Sequence, residues 1–298
     1  MKTGKVYKSK QGETVLMELY DRQLHSLNVA HEDIWVETRF GQSHVLKLGN
    51  STGKPVLFIH GGNNTTPFSL LFTGFKALFE HFCIYAVDTI GHPGKSAQTI
   101  LSAKSMEYGE WASDVIDGLG FQKMVCIGGS FGGGILAKLM CVAPEKIEKA
   151  VLLVPAGIAN VSTSNLIMKM GIPMFFYILT KKKYWMKKAI LPMAIDEKNI
   201  DADTYEMVKA SFEHINVKAE MPCNVNPEIL KKCNAPTFII PSEKDCMFPG
   251  KKVIEKAEKI LPSVRSHLLQ NQGHMFKLSA DEMNMIKEFI DEDKTIEL

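Results

Sequence analysis

Three observations predict an α/β fold, a mostly parallel, doubly wound sheet with helices on both faces and one helical insertion. Short apolar, β-branched runs alternate with segments of helical spacing along most of the chain. One of these runs ends abruptly in Gly128-Gly-Ser-Phe-Gly132 and passes at once into an apolar helical pattern. The alternation lapses once, between residues 156 and 232, a stretch without a strand pattern and too long to be an ordinary loop.

The elements follow in order. Residues 32–48 alternate apolar and polar side chains (Ile34, Val36, then Val45 and Leu46), as an antiparallel edge hairpin would around Phe40-Gly41. The runs 55–59 and 82–87 are continuously apolar and end in glycine-rich or polar loops, the mark of strands buried on both faces. Between them, 75–82 has helical spacing. A clearer helix spans 105–119, with Tyr108, Trp111, Val115 and Leu119 on one face and Gly120 as its stop. Strands are expected at 123–127, 149–154, 236–240 and 266–269, with a helix from residue 131.

Composition sets bounds on function. The chain has 298 residues, 45% hydrophobic and 23% charged, with a formal net charge of +2. That balance fits one α/β core plus an insertion and gives no strong field for nucleic acid. The N-terminal residues include several lysines but no apolar core of a secretory signal. Six scattered cysteines, two of them inside apolar strand patterns, read as buried hydrophobes in a reducing compartment. A cytoplasmic location is expected.

The interruption divides the chain into a core of 1–155 and 233–298 and a helical cap of 156–232. A segment that adds no strand has to cover apolar surface, and the top of the sheet is where it can do so. The cap holds seven of the sixteen methionines, an apolar run over 166–180 and the basic cluster Lys181-Lys-Lys-Tyr-Trp-Met-Lys-Lys188. The run is too short to span a bilayer and is interrupted by Lys169, Gly171 and Pro173. A packed cap with a solvated lysine face is the plainer reading, and weak contact with a membrane surface the sharper one.

The turn at 128–132 points to chemistry. Gly-x-Ser-x-Gly between a strand and a helix forces its serine to the tip of a tight turn, above a helix N-terminus that favours developing negative charge. Serine is a poor nucleophile alone and needs a base, itself oriented by an acid. His274, in Asn271-Gln-Gly-His-Met-Phe276 after the last strand, is the best-placed base; His267 and His214 are weaker candidates. The loop after 236–241 offers Glu243 and Asp245, of which Asp245 lies further into the loop. Oxyanion donors are expected at the backbone N–H of Phe131 and in His60-Gly-Gly-Asn-Asn64, at Gly62 first and Asn63 second. His60 is expected to brace that loop.

The chain order Ser130, Asp245, His274 is that of α/β hydrolases. The chain resembles that superfamily over nearly its whole length, through His60-Gly-Gly, Asp88-Thr-Ile-Gly-His-Pro-Gly-Lys-Ser96, Gly128-Gly-Ser-Phe-Gly-Gly133 and Gly273-His274. Tyr20-Asp-Arg and Thr38-Arg-Phe-Gly41 are similar to bacterial carboxylesterase-like members with a helical lid. The resemblance implies an eight-stranded, mostly parallel sheet and a cofactor-free serine enzyme acting on small-molecule esters. Asn63-Asn-Thr-Thr66 departs from the bulkier residues that relatives often place after His-Gly-Gly.

Nucleotide readings fail at named positions. Gly94-Lys-Ser96 would end a P-loop, but position 89, which should be its first glycine, is threonine. A dinucleotide fingerprint starting at Gly128 has Ser130 where its second glycine must admit a pyrophosphate. No metal-binding spacing is evident. Carbon–carbon bond hydrolysis, acyl transfer, perhydrolysis and lactone opening all use the same three side chains. A non-catalytic ligand receptor on a hydrolase scaffold is the alternative from a different class, although a pure binding module gains little from an activated serine.

Overall fold

The computed structural model describes residues 5–161, 164–216 and 220–292. In chain order it begins with α1 (Lys10–Leu27), β1 (His31–Thr38), β2 (Gly41–Gly49), β3 (Lys54–Ile59), α2 (Thr66–Thr73) and β4 (Phe82–Val87). Next come α3 (Glu107–Gly118), β5 (Met124–Gly129), α4 (Phe131–Val142) and β6 (Ile147–Leu153). Four helices follow without a strand: α5 (Ser164–Thr180), α6 (Lys183–Ala194), α7 (Ala202–His214) and α8 (Pro227–Leu230). The chain closes with β7 (Thr237–Ile240), α9 (Gly250–Ile260), β8 (Val264–Ser266) and α10 (Ala280–Asp291).

The eight strands form one sheet in the order β1-β2-β4-β3-β5-β6-β7-β8. Strand β2 runs antiparallel to both β1 and β4, and every other pairing is parallel. Alternate residues of the central strands feed two separate cores. Val56, Phe58, Val125, Ile127 and Val151 pack with Tyr20 and Leu24 of α1 and Ile286 and Phe289 of α10. Leu57, Ile59, Cys126, Ala150 and Leu152 pack on the other face with Trp111 of α3 and Leu136 of α4. Both faces being covered is why these strands read as unbroken apolar runs. Each Val, Leu, Ile or Phe among them, withdrawn from water, contributes about 1.5–3 kcal/mol before the cost of ordering it.

Some expected bounds move for identifiable reasons. Helical spacing over 75–82 resolves into α2 upstream, which Thr65 caps by accepting the Phe68 N–H and which Gly74 ends at φ 73°. Only a short 3₁₀ turn, Phe75–Leu78, lies inside the expected range. The last strand is Val264–Ser266, earlier than 266–269, although its pairing side continues: the His267 N–H donates to Ile239 O at 3.0 Å and the Leu269 N–H to Pro241 O at 2.9 Å, while Pro241 has no N–H to return. Within the expected 156–232 cap, Val225 and Leu230 already sit in the core with Ile239 and Val253, so the chain returns to the sheet before Lys232.

Helices α5, α6 and α7 have their own small core, built on Tyr177, Met186, Ile190 and Ala194. Helix α1 ties this cap to the body: Leu16 and Leu19 pack with Phe68 of α2 and with Met207 and Ala210 of α7. No described helix is long and apolar enough to cross a membrane.

Candidate active site

Strand β5 delivers Ser130 to the carboxyl edge of the sheet, and α4 begins at the next residue. Ser130 is held at φ 52°, ψ −114°, a conformation that costs a non-glycine residue about 1–3 kcal/mol and persists only when its surroundings enforce it. Here the Ser130 N–H donates to Leu153 O at 2.9 Å, while Ser130 O accepts from the N–H groups of Gly134 (3.1 Å) and Ala156 (3.0 Å). The turn has no room for Cβ atoms: one on Gly128 would lie 2.5 Å from Gly132 O, and one on Gly132 would collide with Ile59 O.

The loop after β8 brings His274 to this serine. Its Nε2 lies 2.9 Å from Ser130 Oγ, and its Nδ1 lies 2.8 Å from Asp245 Oδ2. Asp245 Oδ1 accepts the N–H groups of Met247 (2.8 Å) and Phe248 (3.0 Å), so backbone anchors the oxygen that does not face His274. With a carboxylate at Nδ1, the arrangement favours the tautomer that donates there and keeps the Nε2 lone pair for the serine. The Phe248 ring packs edge-on to the imidazole at 5.4 Å. Glu243 points elsewhere: its Oε2 accepts the Asn271 N–H at 3.0 Å, in the loop leading to His274. His267 lies beside Glu282 of α10, and the carbonyl of His214 accepts the Lys8 N–H, so neither is brought to Ser130.

The loop after β3 closes the other side. A Cβ on Gly62 would come 3.2 Å from Phe131 Cβ, which places the two residues side by side. Phe131 opens α4, so its N–H has no acceptor within the helix. The Asn63 N–H donates to His92 Nδ1 at 3.1 Å, and Asn63 O accepts from Ser211 Oγ of α7 at 2.7 Å. His60 is fully buried, and burial lowers its pKa, favouring a neutral ring. Its Nε2 accepts the Thr89 N–H at 2.9 Å, and its Nδ1 lies 2.6 Å from Gly61 O and 3.1 Å from Asn64 Oδ1. These bonds make His60 a brace between two loops.

Sequence reasoning missed the cap's part in holding the site. Besides the Ser211 bond, Met275, next to His274, donates its N–H to Met193 O at the end of α6 at 3.0 Å. Gly273 is tight here, since a Cβ would collide with that same carbonyl. Glycine before histidine was visible in the sequence, but its partner, 80 positions upstream (273 − 193), was not. A cleft of about 600 Å³ lies between α5, α6 and the loop after β7 and reaches Cys246, adjacent to Asp245.

A second aspartate–histidine pair lies away from Ser130. Asp88, fully buried, accepts from Thr66 Oγ1 at 2.5 Å and from the Lys95 N–H at 2.9 Å, and lies 2.9 Å from His44 Nδ1. The far nitrogen of His44 is 2.6 Å from Asp33 Oδ1, which Lys95 Nζ also reaches at 3.2 Å. Burial alone would raise the Asp88 pKa, but the bonds from His44, Thr66 and Lys95 outweigh it and hold the carboxyl below its ordinary range.

Comparison with known proteins agrees with this architecture. The α/β hydrolase fold family model matches residues 54–189. Carboxylesterase YbfK of Bacillus subtilis is 24% identical over 89% of this chain and 89% of its own length. The uncharacterized carboxylesterase nap of the same organism is 23% identical, over 88% and 86%. The crystal structure of carboxylesterase CesB (YbfK) superposes with a TM-score of 0.78 at 21% identity, covering 94% of this chain and 99% of that one. Sheet order, serine turn and these likenesses together show the α/β-hydrolase fold, in a chain whose sequence is similar to carboxylesterases over most of its length.

Proposed function

We propose that the protein is a serine hydrolase that cleaves small carboxylic esters through an acyl-enzyme. The observation that carries this reading is the continuous chain Asp245–His274–Ser130, with links of 2.8 and 2.9 Å, ending at the strained turn above α4. Likeness to carboxylesterases over most of the chain supports the same class.

In this mechanism Ser130 Oγ attacks the ester carbonyl carbon as its proton passes to His274 Nε2. Asp245 stabilises the resulting imidazolium through Nδ1–H and keeps the ring aimed. The oxyanion receives the N–H groups of Phe131 and Gly62; Asn63, whose N–H is directed at His92 Nδ1, is the weaker donor. Collapse expels the alkoxide, which takes the proton from His274 and leaves as the alcohol. A water then gives its proton to His274 and attacks the acyl-enzyme. Collapse of this second intermediate frees the acid, and the proton returns to Ser130 Oγ. Carbon–carbon hydrolysis or acyl transfer would use the same residues, and the fold does not choose among them. The unpaired cysteines suit a reducing compartment, in keeping with a cytoplasmic enzyme.

Stopped-flow turnover of p-nitrophenyl esters of graded chain length tests the proposal. A burst of p-nitrophenol near one equivalent, followed by slower steady release, is the expected result. Turnover of a dienone ring-cleavage substrate with none of any ester would move the protein to carbon–carbon hydrolysis.

A further inference from the structure

We propose that the outward face of α5, with the start of α6, docks on anionic phospholipid surfaces. Among the described residues, eight of the eleven exposed large apolar side chains lie between Met168 and Ile195. Met168, Ile172, Phe175 and Leu179 recur at helical spacing and are 57–64% exposed, while Tyr177, on the opposite side of the same helix, is 1% exposed. A helix that buries one side and shows water a second apolar side of three turns is unusual for a surface element. Scattered apolar residues need no explanation, but a contiguous stripe does.

Charge identifies the occupant. Residues 164–194 carry six lysines and no acidic residue, which leaves the rest of the chain at −4 against a total of +2. Lys181, Lys182 and Lys183 follow directly on the apolar stripe, and Lys188 Nζ sits over the exposed Tyr184 ring at 5.6 Å. Apolar side chains flanked by lysines and interfacial aromatics suit a helix lying in the headgroup layer. At 17 residues α5 is shorter than a bilayer span, so it would lie on the membrane rather than cross it. A second copy of the same face would meet it with like charge and is disfavoured for that reason. This inference stands apart from the reaction at Ser130 and is tested without it.

The experiment is sedimentation of the full-length protein with vesicles of phosphatidylcholine alone and of phosphatidylcholine mixed with phosphatidylglycerol, at low and high salt. Binding to the anionic vesicles is expected, weakened by salt. Lys182→Glu, a change of two charge units, should weaken it by roughly 25-fold, at about fivefold per unit near the surface. Phe175→Ser/Leu179→Ser should weaken it by about tenfold or more through lost apolar burial. Circular dichroism and thermal unfolding check that both variants remain folded. Equal binding to neutral and anionic vesicles, or no binding by folded protein, would overturn the proposal. So would a concentration-dependent dimer, seen by light scattering, that the double serine variant abolishes.

Discussion

Asp245–His274 and Asp88–His44 are two buried aspartate–histidine pairs with nearly the same link, 2.8 and 2.9 Å, and they differ in what faces the other ring nitrogen. At His274 it is the hydroxyl of Ser130; at His44 it is a second carboxylate, Asp33. An imidazole between a carboxylate and a hydroxyl can take and return a proton. One between two carboxylates bridges them and joins β1, β2 and the loop after β4. What separates the two pairs is the third partner, a hydroxyl in one and a carboxylate in the other.

The largest effects should come from breaking the first chain. Asp245→Asn should lower ester kcat by about 10³–10⁴-fold, because the amide offers His274 the wrong hydrogen-bonding partner. The protein should stay folded by circular dichroism. Breaking the second pair should instead affect stability. His44→Ala strands the fully buried Asp88 charge and should cost about 3 kcal/mol or more in urea unfolding, with ester kcat of the folded fraction near wild type.

That stability difference carries a pH signature. Asp88 is held below its ordinary pKa, so the unfolded chain takes up its proton at higher pH than the native state does. The stabilisation is therefore complete above about pH 4 and lost as pH falls below it. The gap between wild type and His44→Ala should narrow in that acid range; a gap that widened there would remove Asp88 as the cause.

Smaller effects sharpen the comparison at the edges of the site. Gly273→Ala forces a Cβ against Met193 O of the cap and should cut kcat by roughly tenfold by shifting His274, since small misplacements of a catalytic group are expensive. Glu243→Gln, on the same loop as Asp245 but bonded to Asn271 N, should change kcat by less than about threefold.

Much of the molecule was legible in the sequence where local geometry restricts residue type. The turn at Ser130 needs glycine on both sides because backbone lies where side chains would go, and the doubly buried strands need continuous apolar runs. Helix α1 was legible but unread: Ser9 caps it, Asn28 ends it in a left-handed conformation, and Leu16, Leu19, Tyr20, Leu24 and Leu27 share a face. Interleaved charges obscured the pattern, and part of its packing partner is α7, far along the chain. The contacts that hold the loops were not legible. That His92 takes the Asn63 N–H, or that Ser211 and Met193 of the cap hold the loops after β3 and β8, depends on contacts between segments distant in sequence.

The most direct test of the central claim, that Ser130 is the nucleophile served by His274, is fluorophosphonate labelling followed by peptide mass spectrometry. The wild-type protein should carry a single adduct on Ser130, Ser130→Ala should carry none, and ester turnover should fall by about 10⁴-fold or more in parallel. An adduct on another residue, or labelling and turnover that persist in Ser130→Ala, would contradict it.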